Sequence, residues 1–243
     1  MNLLEFAEER RTAHEFVRDT LRRAIIGGAF TGGTRLVQAD IAEQLKVSTT
    51  PVREALRDLA SDGLIVFDPH RGAIIHELDA SELVEIYEIR KALEPLAIRK
   101  AAQRITEEQL REATALQQRM DREEDPAAWV ELNWEFHSLL ERAASSPRFQ
   151  SLLKSVQDIA AIYVAHSLKI EPQRMASGNR EHWALLEALQ RRDGEKAASV
   201  LVKHLDGTLG TILSSGSLES SKGGRSSEAE ERGPLPLSAL AQQ

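Results

Sequence analysis

Three histidines and one asparagine are the residues of this chain whose spacing suggests chemistry. In ELNWEFHSLL, Asn133 and His137 stand four residues apart and so project from one face of a helix, beside Phe136 and Leu140. In EHWALLEAL, His182 shares its face with Leu185, Leu186 and Leu189, and in AASVLVKHLDG, His204 shares one with Ala197 and Leu201. A single inward histidine is ordinarily a hydrogen-bonded core residue. Three of them on three inward faces, with an amide oxygen alongside, make a ligand set for a divalent ion such as zinc, nickel or manganese. The chain has no cysteine, so thiolate ligation and disulfides are excluded and any metal must rest on nitrogen and oxygen donors.

A second group lies in VSTTPVREALRDLASDG, from Val47 to Gly63. Val52, Leu56 and Leu59 recur at i, i+4 and i+7 as a buried stripe, Pro51 fits only a first helical turn, and Gly63 ends the helix. Thr49, Thr50, Arg53 and Arg57 fall off the stripe. Threonines at a helix N-terminus can donate to a phosphate, and an arginine one turn in can reach base edges or backbone. The alternative is that Arg53 and Arg57 only pair with Glu54 and Asp58 on a solvated face. Net charge is no guide, because the whole chain carries −7. From Met1 to Leu78, 10 Lys+Arg face 12 Asp+Glu. Nucleic-acid binding must then come from placement of a few cations rather than total charge.

The elements that position these groups fall into two sets. Residues 7–26 have helical spacing at Ala13, Phe16, Val17, Leu21, Ala24 and Ile25, closed by Gly27-Gly28. The glycine-rich TGGTRL leads to a short second helix with Ile41, Ala42 and Leu45 inward, and the stretch above is the third helix. LIVF and AIIH follow as two short strands around DPHRG. Three helices and a hairpin describe a winged helix-turn-helix over residues 7–78. From Asp79 to Ser214 the pattern is helical throughout, opened by a capping-box-like Asp79-Ala-Ser-Glu82, with further helices expected from Thr106, Pro126, Arg148, Gly178 and Gly194. This half, 79–214, reads as an all-α bundle of about six helices, and the Ser/Gly/Glu-rich 215–243 as a disordered tail. The fold class is therefore mainly α. No stretch approaches the ~20 apolar residues of a membrane span and no signal-peptide core is present, so a cytoplasmic protein with no membrane partner is expected.

The string from Ile25 to Leu78, with IIGGAFTGGTRL, DIAEQLKVSTTPVREALRDLASDGLI and HRGAII in order, resembles the DNA-binding domain of GntR-family bacterial transcription regulators, FadR-type branch. The resemblance implies that Arg53 contacts DNA and that His70, Arg71 and Gly72 form a wing tip entering the minor groove. Ala39 and Thr49 stand where such proteins often carry arginine, which implies a different base-reading code. The second half, through YEIRKALEPLAIRKAA, LNWEFHSLL, EHWALLEALQRRDGEKA and VKHL, resembles the FCD ligand-binding domain. That likeness implies Asn133, His137, His182 and His204 as metal ligands and an effector contacted by Arg90. Arg90 and Glu94 fall within the buried stripe of their helix with Leu83, Tyr87, Ala97 and Ala101. They form either an internal pair or, for Arg90, a waiting contact for a ligand carboxylate. Tyr163 and His166, one turn apart, are further candidates for effector contact.

The resulting expectation is a homodimeric regulator, a repressor, binding a short palindromic double-stranded DNA operator in a bacterial cytoplasm, associated with the nucleoid through that DNA. A small carboxylate beside a metal, zinc first, controls it. Two other readings are a regulator whose metal is only structural and a metal-dependent hydrolase, for which Glu94 is the one obvious base.

Overall fold

The computed structural model describes residues 12–30, 32–144 and 147–218. Helix α1 (Ala13–Ile26) is started by Thr12, whose hydroxyl accepts from the Glu15 N–H while the Glu15 carboxylate returns to the Thr12 N–H at 2.8 Å. Its buried stripe is Val17, Leu21 and Ile25; Phe16, read in sequence as part of the same periodicity, is 41% exposed. The stripe packs on α3 (Thr49–Ser61), with α2 (Gln38–Leu45) completing the three-helix core through Ile41 and Ala42. Strands β1 (Ile65–Asp68) and β2 (Gly72–Ile75) pair antiparallel, Ile65 opposite Ile75. The TGGTRL segment is more than a turn. The Leu36 N–H donates to the Ala73 carbonyl and the Ile75 N–H to the Thr34 carbonyl, so the segment lies along the free edge of β2.

Six helices follow: α4 (Ala80–Arg104), α5 (Glu107–Met120), α6 (Pro126–Ala143), α7 (Pro147–Ile170), α8 (Arg174–Gln190) and α9 (Gly194–Ser215). Four of the six starts have a capping side chain. Asp79, Thr106, Asp125 and Asp193 are N-caps accepting backbone N–H groups, and Pro126 occupies a first turn, where its missing donor costs nothing. Together they form a bundle in which α4 lies along α9, with α6, α7 and α8 around it.

The sequence expectations need four corrections. Helix α8 begins at Arg174, four residues before Gly178. That glycine is a packing residue inside the helix, since a Cβ there would meet the Trp129 ring at 3.2 Å. Helix α7 starts at Pro147, one residue earlier than expected. The reciprocal half of a capping box at Asp79 is missing, because the Glu82 carboxylate turns to His76 Nε2 at 2.6 Å and the Tyr163 hydroxyl at 2.8 Å. Ser215 and Gly216, assigned to the tail in the sequence, belong instead to α9, which Ser215 ends and Gly216 caps at φ 61°. Residues 219–243, like 7–11 at the other end, lie outside those described.

Candidate metal centre and nucleic-acid interface

Helices α6, α8 and α9 each bring one imidazole to a common point. Ring centroids of His137 and His182 are 5.1 Å apart, those of His182 and His204 4.8 Å, and the candidate ligand atoms of the three rings all lie within 4.8 Å of one another. All three histidines are buried. The room is made by Gly178 and by Trp129, whose indole stacks on His182 with ring planes 12° apart, and by Phe136, 4.7 Å from the same imidazole.

For two of the rings, the nitrogen offered is set by a neighbour. His182 Nδ1 lies 2.9 Å from Gln117 Oε1, and the Gln117 amide is itself oriented by donating to Asp121 at 2.9 Å. An amide oxygen only accepts, so His182 carries its proton on Nδ1 and turns the Nε2 lone pair inward. His204 Nδ1 lies 2.8 Å from Glu181 Oε2, which leaves its Nε2 for the same point. Glu181 is held in turn by Arg174 at 2.8 Å. Burial opposes ionisation of Glu181, but the bonds from His204 and Arg174 win and hold its carboxyl at about 2. Gly207 permits this arrangement, since a Cβ there would collide with the Arg174 guanidinium at 2.6 Å.

On α6 and α8, Asn133 Oδ1, His137 Nε2 and His182 Nε2 are buried without a hydrogen-bond partner among the described residues. Orphaned buried acceptors are costly and call for an unseen partner. Burial, followed by the charge of the neighbouring imidazole His204, drives the pKa of His137 and of His182 well below the ordinary value. Burial lowers that of His204 as well, against the opposing pull of Glu181. Neutral imidazoles with inward lone pairs and a nearby amide oxygen are a donor set that fits a divalent cation.

Beside the cluster, Arg90 Nε donates to Glu94 Oε1 at 2.6 Å, with both residues buried. The internal pair is therefore formed. The two terminal nitrogens of Arg90 have no hydrogen-bond partner among the described residues, and its guanidinium lies 4.9 Å from the Tyr87 ring centroid. Glu141, two turns beyond Asn133 on α6, completes this group and was not singled out in sequence. Burial, then the charge of Glu94, pushes its carboxyl up to about 9, and its Oε1 accepts from Gln157. Glu141 is thus neutral near pH 7. The folded state binds a proton that the unfolded chain releases above about 4.5, so its contribution grows more destabilising as pH rises from there to about 9. Replacing it by the isosteric amide should stabilise the fold by about 3 kcal/mol at pH 7, with no gain at pH 4. Thermal melts of Glu141→Gln across that range check this, and a gain independent of pH contradicts it.

Tyr163 and His166 are engaged away from the imidazoles. The Tyr163 hydroxyl accepts from the Asp79 N–H at 3.1 Å and meets Glu82, bracing the junction between the two halves. His166 Nε2 lies 2.9 Å from Ser217 Oγ, and the ring lines a cavity of about 330 Å³ between α1, β2 and α7. Helix α7 runs past that junction, which one turn of helical spacing in a sequence does not disclose.

On the winged half, Thr49, Thr50, Arg53, Arg57, His70, Arg71 and Gly72 are all exposed. The suspected pairing of Arg53 and Arg57 with Glu54 and Asp58 does not form. Asp58 lies 2.8 Å from His14 Nε2, and among the described residues neither arginine has an ion-pair partner. The N-terminus of α3 has no side-chain cap and no acidic residue in its first turn, which leaves its N–H groups and positive dipole end for a phosphate. At the wing tip, Asp68 accepts from the N–H groups of His70 and Arg71 at 2.8 and 2.7 Å, and Gly72 takes φ 78° to turn the chain back. Two further cations went unremarked in sequence: Arg35, bridged to β2, and Lys46, left-handed at φ 53° in the turn before α3. Both are exposed, as is Ala39. Their placement depends on the wing edge and on an unusual backbone, neither of which a charge count discloses.

Comparison with known proteins agrees with both halves. The model for bacterial regulatory proteins of the gntR family matches residues 13–75, and that for the FCD domain matches residues 85–207. The Nta operon transcriptional regulator of Aminobacter aminovorans is 33% identical over 189 residues, covering 75% of this chain and 88% of that protein. The HTH-type transcriptional repressor RspR of Escherichia coli K12 is 31% identical over 192 residues, with 76% and 82% covered. Among solved structures, a transcriptional regulator of Rhodococcus sp. RHA1 superposes with TM-score 0.69 at 27% identity, covering 85% of this chain and 99% of that one. E. coli McbR/YncC does so with TM-score 0.74 at 24% identity over the same shares, a likeness of fold. No helix among the described residues is long and apolar enough to cross a membrane. The winged half with its uncapped recognition helix, the helical half and these relatives together establish that the chain is a DNA-binding transcription regulator belonging to the GntR family, with an FCD domain.

Proposed function

We propose that this regulator is a homodimeric repressor whose winged half, residues 7–78, reads a palindromic operator and whose helical half, 79–214, binds one divalent ion per chain and a small carboxylate effector beside it. The observation that carries the reading is the gathering of the buried His137, His182 and His204, with His137 Nε2 and His182 Nε2 left without a partner; Asn133 Oδ1, one turn before His137 on α6, is likewise buried and partnerless. Asn133, His137, His182 and His204 would hold the ion. Zinc suits this nitrogen-rich set best, ahead of nickel or manganese. When bound, the ion supplies positive charge and open coordination positions.

Charge balance favours an anionic effector. Arg90 is paired with Glu94 and the proposed ligands are three imidazoles and an amide, so the donor set itself brings no negative charge to offset the ion. The free terminal nitrogens of Arg90 would grip the ligand carboxylate through charge-assisted bonds. Glu94, the base that a hydrolytic reading needs, is held by Arg90 at 2.6 Å, which speaks for a binding site. On DNA, Arg53 and Arg57 would enter the major groove, Thr49 and Thr50 would meet a phosphate, and His70, Arg71 and Gly72 would approach the minor groove. Repression agrees with the name of the E. coli relative.

The test is a fluorescence-anisotropy titration of zinc-loaded protein on a site selected from random duplex DNA, repeated with a panel of mono-, di- and tricarboxylates. At least one acid should change the operator affinity by about fivefold or more, and chelation should abolish that change. A panel without effect, or an effect that survives chelation, overturns the effector reading.

A further inference from the structure

Asp158 on α7 is a carboxylate with no solvent exposure that neither candidate site uses. Burying that charge requires cations, and two meet it from opposite sides. Arg22 Nη2 on α1 lies 2.7 Å from its Oδ1, and Lys154 Nζ, one turn back on α7, lies 2.8 Å from its Oδ2. Lys154 also reaches Asp62, 2.7 Å away, the residue that caps α3. The Arg22 guanidinium stacks on Trp134 of α6 with 4.1 Å to the ring centroid. Next to it in the fold, Gly63 accepts the Ile159 side chain so closely that a Cβ would stand 2.5 Å from it.

These contacts sit at defined places in the architecture. The linker between the halves is braced at its own end, by His76 and Tyr163 on Glu82, and such a brace holds a pivot without fixing an angle. Arg22 adds a point on α1 and Asp62 a point at the end of the recognition helix. A pivot and two separate points of attachment define an orientation. The first attachment ends on Asp158 itself, and the second ends on Lys154, which Asp158 holds from one turn away on the same helix.

We infer that the Arg22–Asp158–Lys154–Asp62 clasp is a specificity determinant of operator recognition: it fixes the angle of the recognition helix against the helical half and thereby the separation of half-sites that the protein accepts. The inference rests on the reading that two chains bind a two-fold operator. Adding one base pair between half-sites moves the second by about 3.4 Å and turns it by about a tenth of a helical turn. A clasped recognition helix cannot follow that displacement, whereas one tied only by its linker can. Asp158 touches no base, so its effect is on spacing and leaves the base preferences within each half-site alone.

The experiment uses the full chain and the palindromic site that the wild-type protein recovers from random duplex DNA, together with versions whose centre is lengthened or shortened by one and two base pairs. Wild-type protein should lose about tenfold in affinity for each altered spacing, and Asp158→Asn less than about threefold, with an unchanged base-preference profile inside the half-site. Arg22→Lys keeps the charge but loses the fork and the stacking on Trp134, and should fall between the two. Circular-dichroism melts of both variants are run on the same preparations, and Arg22→Lys carries the test if Asp158→Asn does not fold. A variant as sharp in its spacing preference as the wild type overturns the clasp alone. A wild-type chain indifferent to spacing overturns the two-fold reading and the clasp with it.

Discussion

Zinc-loaded protein should melt well above chelator-stripped protein, and His182→Ala should erase most of the difference. The cause is linkage: an ion that binds only the folded chain stabilises it by about 4 kcal/mol at a thousandfold excess over its Kd, or roughly 10 °C for a chain of this size. His182 is the ligand to remove first, because its Nε2 is one of the orphaned acceptors and its other nitrogen is fixed by Gln117. In the stripped state the same substitution does less. It leaves the Gln117 carbonyl without its donor and a gap beside Trp129 and Phe136, a cost of about 1–3 kcal/mol. The two contributions separate when both proteins are melted with and without metal and their metal content is measured. A variant that retains one zinc per chain removes His182 from the centre, whatever its melting temperature.

Operator binding should fall by about 1–3 kcal/mol in Arg53→Ala, with melting temperature unchanged. Arg53 is exposed, has no ion-pair partner among the described residues, and stands one turn into a helix whose N-terminus is uncapped. Truncating it therefore breaks no intramolecular contact, and a loss of affinity reports on DNA alone. The wing offers a contrast. Asp68 is tied by two backbone N–H bonds, so Arg71→Ala keeps the turn and removes the cation together with its loose 3.9 Å ion pair to Asp68. It should weaken binding by less and lower the salt dependence by about one phosphate contact. Anisotropy titrations at several salt concentrations check both, and wild-type affinity in Arg53→Ala would place the recognition surface elsewhere.

Much of this was legible in the sequence because it follows from local periodicity. Helical spacing put Asn133 with His137, and His182 and His204 on inward faces, and the structure gathers the three imidazoles. The same reasoning placed Arg90 and Glu94 on one buried stripe and left open whether they pair; they do. Glu141 was within reach, being four residues past His137 on the same face, but its partners Glu94 and Gln157 lie on other helices and gave no local signal. Other features depend on contacts between distant positions. Glu181 serves His204 on another helix, Gln117 serves His182 from 65 positions away, and Arg22 meets Asp158 from 136 positions away. No periodicity encodes such pairs. Gly178 misled for the opposite reason: glycine signals a break locally, and here it is required by a neighbouring indole.

The central claim is that three imidazoles from α6, α8 and α9 hold one divalent ion, and X-ray absorption at the zinc edge on the full, zinc-loaded chain tests it most directly. The account predicts one zinc per chain with three imidazole ligands at about 2.0–2.1 Å and the remaining positions filled by oxygen. Zinc bound with fewer than two imidazoles, or no stoichiometric zinc at all, would contradict it.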